Sequence, residues 1–268
     1  MIDLGGQDII AIGAAADDVR RRLHGVKTTF VRVFEVHLDA IPASCPSTLA
    51  AGEFRITGRP ATLEDALGAV TRVRALAGPL PVSGFALQDL SALEQPIETA
   101  AARLRQAGLD AVAELPVDIV EDAALIAAAR RGGLVVNRLT NGGGAMTGVP
   151  VVDRAIALQR AVGGFRSFAP LPTVVSVAAP TTGYDDVKTV ATARLMLEDI
   201  PSIQVDWTLY GPKLAQVALT MGADDVYGVA AFDPGSLGSR RSALAEIVGN
   251  IRAAGLEPVE RNGRFELL

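Results

Sequence analysis

Short β-branched runs alternate along the chain with longer Ala-, Leu- and Arg-rich segments whose apolar positions recur with helical period, the pattern of repeated βα units around a parallel sheet. Runs at 29–36, 80–84, 111–114, 134–139, 173–178, 203–207 and 225–230 read as strands. Helices are expected at 62–76, 96–107, 120–131, 150–162, 184–199, 212–221 and 239–254, and two more, 4–12 and 14–23, precede the first strand. Thr62, followed by Asp65, is suited to cap the first turn of the 62–76 helix. The tail, 258–268, reads as a short hairpin around Asn262-Gly263. Counted as an eighth strand, it completes an α/β fold of the (β/α)8 TIM-barrel type with N-terminal helices. No low-complexity linker or compositional break divides the chain. A single barrel domain over 1–268 is therefore expected, with residues 1–25 as a helical extension.

Composition narrows the core and the partners. Apolar residues make up 49% and aromatics 4%, so the core must be built from Ala, Val, Leu and Ile, the residues of buried parallel strands covered by helices. A formal charge of −5 and a pI near 5.2 provide no basic face for a phosphate backbone, so nucleic acid is not an expected partner. No apolar run is long enough for a membrane span. The start, Met1-Ile2-Asp3-Leu4-Gly5-Gly6, lacks the basic and apolar regions of a secretion signal, so a cytoplasmic protein is expected. The only cysteine, Cys45, cannot form an internal disulfide and reads as a small packed hydrophobe.

In a barrel of this type, chemistry sits at the C-terminal ends of the strands. Glu35, His37 and Asp39 alternate after the first strand. His37 is a strand-end cap or, with Glu35 or Glu114, an acid–base pair. Spacing within one strand seldom completes a metal site, and none is expected. Gly84 and Gln88 follow the second strand and Glu114 ends the third, where a carboxylate in apolar surroundings needs a partner. Arg138, beside Asn137 on the next strand, is that partner or a substrate-binding group. Asn141-Gly142-Gly143-Gly144 reads as a flexible loop, without the spacing of a phosphate-binding motif. Ser176 follows the fifth strand and Asp206, Trp207 and Tyr210 the sixth, where the rings are candidates for stacking on a ligand or for core packing. Lys213 opens the following helix and is a candidate anion site or a solvated lysine.

Three segments carry a family resemblance. Leu23-His24-Gly25 with Thr29-Phe30-Val31-Arg32 resembles the entry into the first strand of aminodeoxyfutalosine synthase, the radical S-adenosylmethionine (SAM) enzyme of the futalosine route to menaquinone. The stretch from Gly163-Gly164-Phe165 to Ala193-Arg194-Leu195-Met196-Leu197 resembles that enzyme's later half. Gly211-Pro212-Lys213-Leu214-Ala215-Gln216-Val217-Ala218-Leu219 with Gly222-Ala223-Asp224-Asp225 is the most specific stretch. The sister futalosine cyclase and the enzymes that make the deazaflavin chromophore are similar there. The resemblance covers nearly the whole chain, is weakest between Ala92 and Val149, and implies a [4Fe–4S] cluster with SAM.

It also exposes departures. Ile41, Cys45 and Thr48 stand where the family carries the three cysteines of CxxxCxxC, and neither isoleucine nor threonine offers a thiolate. Gly84-Phe85 stands where the family has a Gly-Gly pair that admits the methionine part of SAM. From these substitutions no cofactor is expected. The leading expectation is a cluster-free homologue linked to menaquinone biosynthesis, either with a small-molecule pocket at the barrel mouth for an aromatic or nucleoside-like ligand, or acting as partner of a pathway enzyme. Non-radical acid–base chemistry of lyase or transferase type in the same barrel is the first alternative. A non-catalytic interaction subunit is the second. A homodimer or a complex with a pathway enzyme is the expected assembly.

Overall fold

The computed structural model describes residues 8–142, 146, 148–172, 183–232 and 244–268. Its strands form one parallel sheet closed on itself. The strands are β1 (Lys27–His37), β2 (Glu53–Thr57), β3 (Val82–Ala86), β4 (Ala111–Pro116), β5 (Arg138–Thr140), β6 (Ser167–Ala169), β7 (Ser202–Asp206), β8 (Asp225–Ala230) and β9 (Glu257–Glu260). Neighbours run in order from β2 to β8, then to β1 and β9, and a further β1–β2 pairing closes the barrel. The helices are α1 (Ile9–His24), α2 (Leu63–Ala77), α3 (Leu87–Ser91), α4 (Ile97–Ala107), α5 (Ala123–Arg131), α6 (Val149–Val162), α7 (Tyr184–Met196), α8 (Trp207–Leu219) and α9 (Leu244–Ala253).

The barrel and most helices stand where the periodicity places them. Thr62 and Asp65 form a reciprocal capping box at the start of α2, and Gly78 follows its end. Three differences have physical reasons. The expected pair of N-terminal helices is one helix, α1, which packs Ile12 and Ala16 beside Ala191 of α7. The second barrel strand is β2, a segment whose two charges hide its strand character because they face a polar bore. The tail is a ninth strand rather than the eighth: β9 runs parallel to the first half of β1, Lys27 to Phe30, while the second half, Val33 to His37, pairs with β2. An antiparallel bridge from Arg261 to Leu267 then makes the expected turn around Asn262-Gly263. The expected strand at 173–178, with Ser176, lies outside the described residues, and the sixth barrel strand is Ser167–Ala169.

Apolar side chains of the strands and helices form the main core, in which the Phe34 and Phe54 rings meet edge to face at 5.2 Å. The bore is different. Apart from the small apolar group of Val31, Val33 and Tyr227, it carries Glu53, Arg55, Arg138, Gln204, Asp225 and Arg261, joined by the bonds described below.

Candidate functional site

Two polar layers cross the bore. In the lower one, Arg261 holds Asp225 with two bonds, Nε to Oδ1 at 2.7 Å and Nη2 to Oδ2 at 2.6 Å. Thr29 and Gln204 also donate to Asp225, at 2.5 and 2.6 Å. Burial alone would push this carboxyl up, but the Arg261 charge and these bonds hold it below the usual carboxylate range. Glu53 accepts from Ser83 and, at 3.2 Å, from Tyr227.

The upper layer centres on Arg138. Its Nε donates to Gln204 Oε1 at 2.5 Å, and its guanidinium lies 4.4 Å from the centroid of the Tyr227 ring. Nη1 is 3.6 Å from Glu114 Oε2, and Nη2 is 3.7 Å from Asp206 Oδ2. Neither distance is a hydrogen bond, and both terminal nitrogens are buried without one. Glu114 instead accepts from Arg55 Nη2 at 3.2 Å. Burial would lower the Arg55 guanidinium, yet Tyr227 and Glu114 beside it raise its pKa above the ordinary arginine value. Burial likewise raises the Tyr227 phenol.

This layer brings together Glu114, Arg138 and Asp206, three of the residues singled out near strand ends, and adds Arg55 and Tyr227. Asp206 also caps α8, accepting from the backbone N–H of Thr208 at 3.1 Å. The other candidates lie apart from it. Glu35 is exposed near the end of β1. The His37 ring accepts from the Asp39 backbone at 3.3 Å, a cap of the strand end. Among the described residues no group of three His, Cys, Asp or Glu side chains is placed to hold a metal, Glu35, His37 and Asp39 included. Gly84 points at the helical layer, where an added Cβ would lie 3.1 Å from Ile56 and 3.3 Å from Leu109. Gln88 is half-buried on α3, with its Oε1 unpartnered. Asn137 precedes β5 and lines a cavity at the N-terminal side of the barrel rather than the mouth, because β5 begins only at Arg138. Trp207 is fully buried and Tyr210 nearly so, the latter donating to Pro170 O at 2.6 Å, so neither ring is free to stack on a ligand. Burial pushes the Tyr210 phenol well up. Lys213 is exposed just past Gly211, where positive φ divides α8 into two helical pieces.

Arg55, Glu53 and Tyr227 escape a search confined to strand ends. For Glu53 and Arg55 the signal is the alternation Glu53-Phe54-Arg55-Ile56-Thr57, which puts one charge every second residue on the inner face.

At the positions aligned with cluster ligands, Ile41 is buried in the core and Thr48 is exposed. Cys45 packs against the same core with its Sγ 3.8 Å from Leu76 O, at the end of α2. Those positions offer one thiolate where three are implied, so the donor set does not fit a cluster bound in the family's way. Phe85 is buried with φ at +61°, a left-handed backbone that glycine adopts without strain. Its ring occupies a place where the resemblance implies no side chain at all.

Comparison with known proteins agrees with this fold. Residues 167–268 match the family model of the CofH/MqnC C-terminal region. The aminodeoxyfutalosine synthase of Streptomyces coelicolor is 33% identical over 138 residues, 44% of this chain and 36% of that protein. The Thermus thermophilus enzyme of the same name is 37% identical over 131 residues, 42% of this chain and 34% of that protein. A 5-amino-6-(D-ribitylamino)uracil–L-tyrosine 4-hydroxyphenyl transferase of Methanosarcina barkeri is 28% identical over 202 residues, 62% of this chain and 53% of that protein. The matched stretches thus span about a third to a half of these relatives. Among solved structures, methylornithine synthase (PylB) superposes with a TM-score of 0.61 at 13% identity, covering 95% of this chain and 91% of that one. The [FeFe]-hydrogenase maturase HydG gives 0.63 at 11% identity, covering 96% and 70%. At such identities these two speak for the fold alone.

The expectation that no cofactor belongs here is corrected by these matches. The homologues are radical SAM enzymes that use [4Fe–4S] and SAM. The chain is thus similar to the CofH/MqnC C-terminal region over residues 167–268 and, over less than half of its length, to aminodeoxyfutalosine synthases.

Proposed function

We propose that the barrel mouth is a binding pocket for a small ligand with acceptor oxygens, an aromatic acid or a nucleoside, in a pathway of the menaquinone-forming kind in the cytoplasm. One observation carries this reading: Arg138 is 5% exposed, and both of its terminal nitrogens lack a hydrogen bond. An unused buried donor costs about 1–3 kcal/mol, more when charged, and a ligand oxygen between Nη1 and Nη2 would recover that cost. Glu114 and Asp206 stand on either side of the guanidinium, and the Tyr227 ring lies against it. The ligand's carboxylate or carbonyl would thus meet a guanidinium already fixed in direction. No membrane-crossing helix is present among the described residues. Acid–base chemistry by His37 has less support, since its ring bonds to its own strand end.

The test is mass spectrometry of small molecules released from the natively purified protein, followed by titration with 3-hydroxybenzoate and adenosine. Saturable binding of one of them, weakened about tenfold or more by Arg138→Met, is the expected result; that loss corresponds to about 1.4 kcal/mol. A ligand-free protein that binds neither compound, or binds with the same affinity after Arg138→Met, overturns the reading. Light scattering on the same sample checks the expected homodimer.

A further inference from the structure

The N-terminal side of the barrel, opposite the mouth, holds a cavity of about 430 Å³ that plays no part in the reading above. Its inner end is Glu53, the first residue of β2, which is 6% exposed. Both of its hydrogen bonds, from Ser83 and Tyr227, fall on Oε1. Oε2 lies against Gly263, where an added Cβ would come within 2.9 Å of it, and Gly263 also lines the cavity. Among the described residues no basic side chain comes within ion-pairing distance of this buried carboxylate, whose nearest positive charges, Arg55 and Arg261, act on it from farther off; a ligand donor at Oε2 would add to the two bonds on Oε1.

The outer end has the opposite character. Arg166 is exposed, 5.4 Å from the centroid of the Phe265 ring, and has no carboxylate partner among the described residues. Among the described residues the only carboxylate near Arg264 is Asp110, at 3.6 Å. Asp110 is already held by Arg74 and Arg105, both at 2.6 Å, and by the Val82 N–H at 2.9 Å. Between the two ends run the apolar surfaces of Pro81, Ala111 and Val135.

We propose that this cavity is a second binding site, independent of the mouth, for a small amphoteric molecule. A cationic or strongly donating nitrogen of the ligand meets Glu53, its carboxylate meets Arg166 and Arg264, and a flat apolar body lies along Val135. The volume falls in the lower part of the range of roughly 300–1,000 Å³ typical of small-molecule sites. Barrels of this type carry their chemistry at the other face, so the site binds rather than reacts.

The probe is 4-(aminomethyl)benzoate, which carries both heads, with benzylamine and benzoate as one-headed controls, titrated calorimetrically into the full chain. The expected result is that the two-headed probe binds at least about tenfold tighter than either control. Arg166→Ala and the cavity-filling Val135→Trp should each remove that advantage, while Glu35→Gln at the mouth leaves it unchanged. Arg264→Ala, at an exposed side chain, serves if Val135→Trp does not fold. Equal affinities for the three compounds, no saturable binding at millimolar probe, or binding indifferent to Arg166→Ala and Arg264→Ala overturns the proposal.

Discussion

Replacing Arg261 with methionine tests whether one ion pair holds the lower layer of the bore. Asp225 is fully buried, and Arg261 supplies two of its bonds and, among the described residues, the only full positive charge bonded to it. Arg261→Met leaves the carboxylate with the neutral donors Thr29 and Gln204. Losing one partner of a buried pair costs about 3–5 kcal/mol. At about 2–4 °C per kcal/mol for a protein near this size, Tm should fall by about 6–20 °C. The effect should depend on pH. A carboxyl held below its unfolded value adds stability above about pH 4, and that stability is lost as pH falls through the folded value. In the variant the unpaired charge drives the pKa up, so protonation relieves the defect and the two proteins converge in acid. Urea unfolding followed by circular dichroism, repeated from neutral pH down to about pH 4, measures both effects. The double variant Arg261→Met/Asp225→Leu should recover much of the loss, because no charge is left without a partner. A neutral-pH difference under about 1 kcal/mol, or one that does not shrink with acid, refutes the reasoning.

Two further substitutions probe local structure. Thr62→Ala removes one side of the capping box on α2 and should cost about 0.5–2 kcal/mol by thermal unfolding, with Thr62→Ser close to the parent. Gly228→Ala places a Cβ on a residue with φ at +78° and 3.2 Å from Asp206 Oδ1, and should cost about 1–3 kcal/mol; an unchanged Tm would show that β8 relaxes there freely.

The barrel is legible in the sequence wherever strand and helix periods are undiluted, as at 29–36 with 62–76 or 225–230. It is illegible where the bore imposes its own chemistry. Glu53 and Arg55 make β2 look like a surface loop, because a strand with a charged inner face resembles one facing water. β6 has three residues, too few for any period to register. In the upper layer, Glu114, Arg138 and Asp206 could be found because they fall near strand ends. Arg55 pairs with Glu114 from a strand the sequence concealed, and Tyr227 sits within β8, so both were missed. Trp207 and Tyr210 show the converse error: aromatic residues beside a strand end suggest a ligand surface, yet here they fill space that a core of small aliphatic side chains leaves open.

The double pairing of β1 bears on how the chain reaches its final form. Arg32 and Glu260, which join β1 to β9, are 228 positions apart, so β1 meets this partner only after all of the intervening chain has been synthesised. Until then the first half of that edge of β1, Lys27 to Phe30, offers bare N–H and C=O groups to any extended peptide nearby. Contacts of such separation slow folding, and a growing chain exposed in this way depends on chaperones or on speed to escape edge-to-edge association.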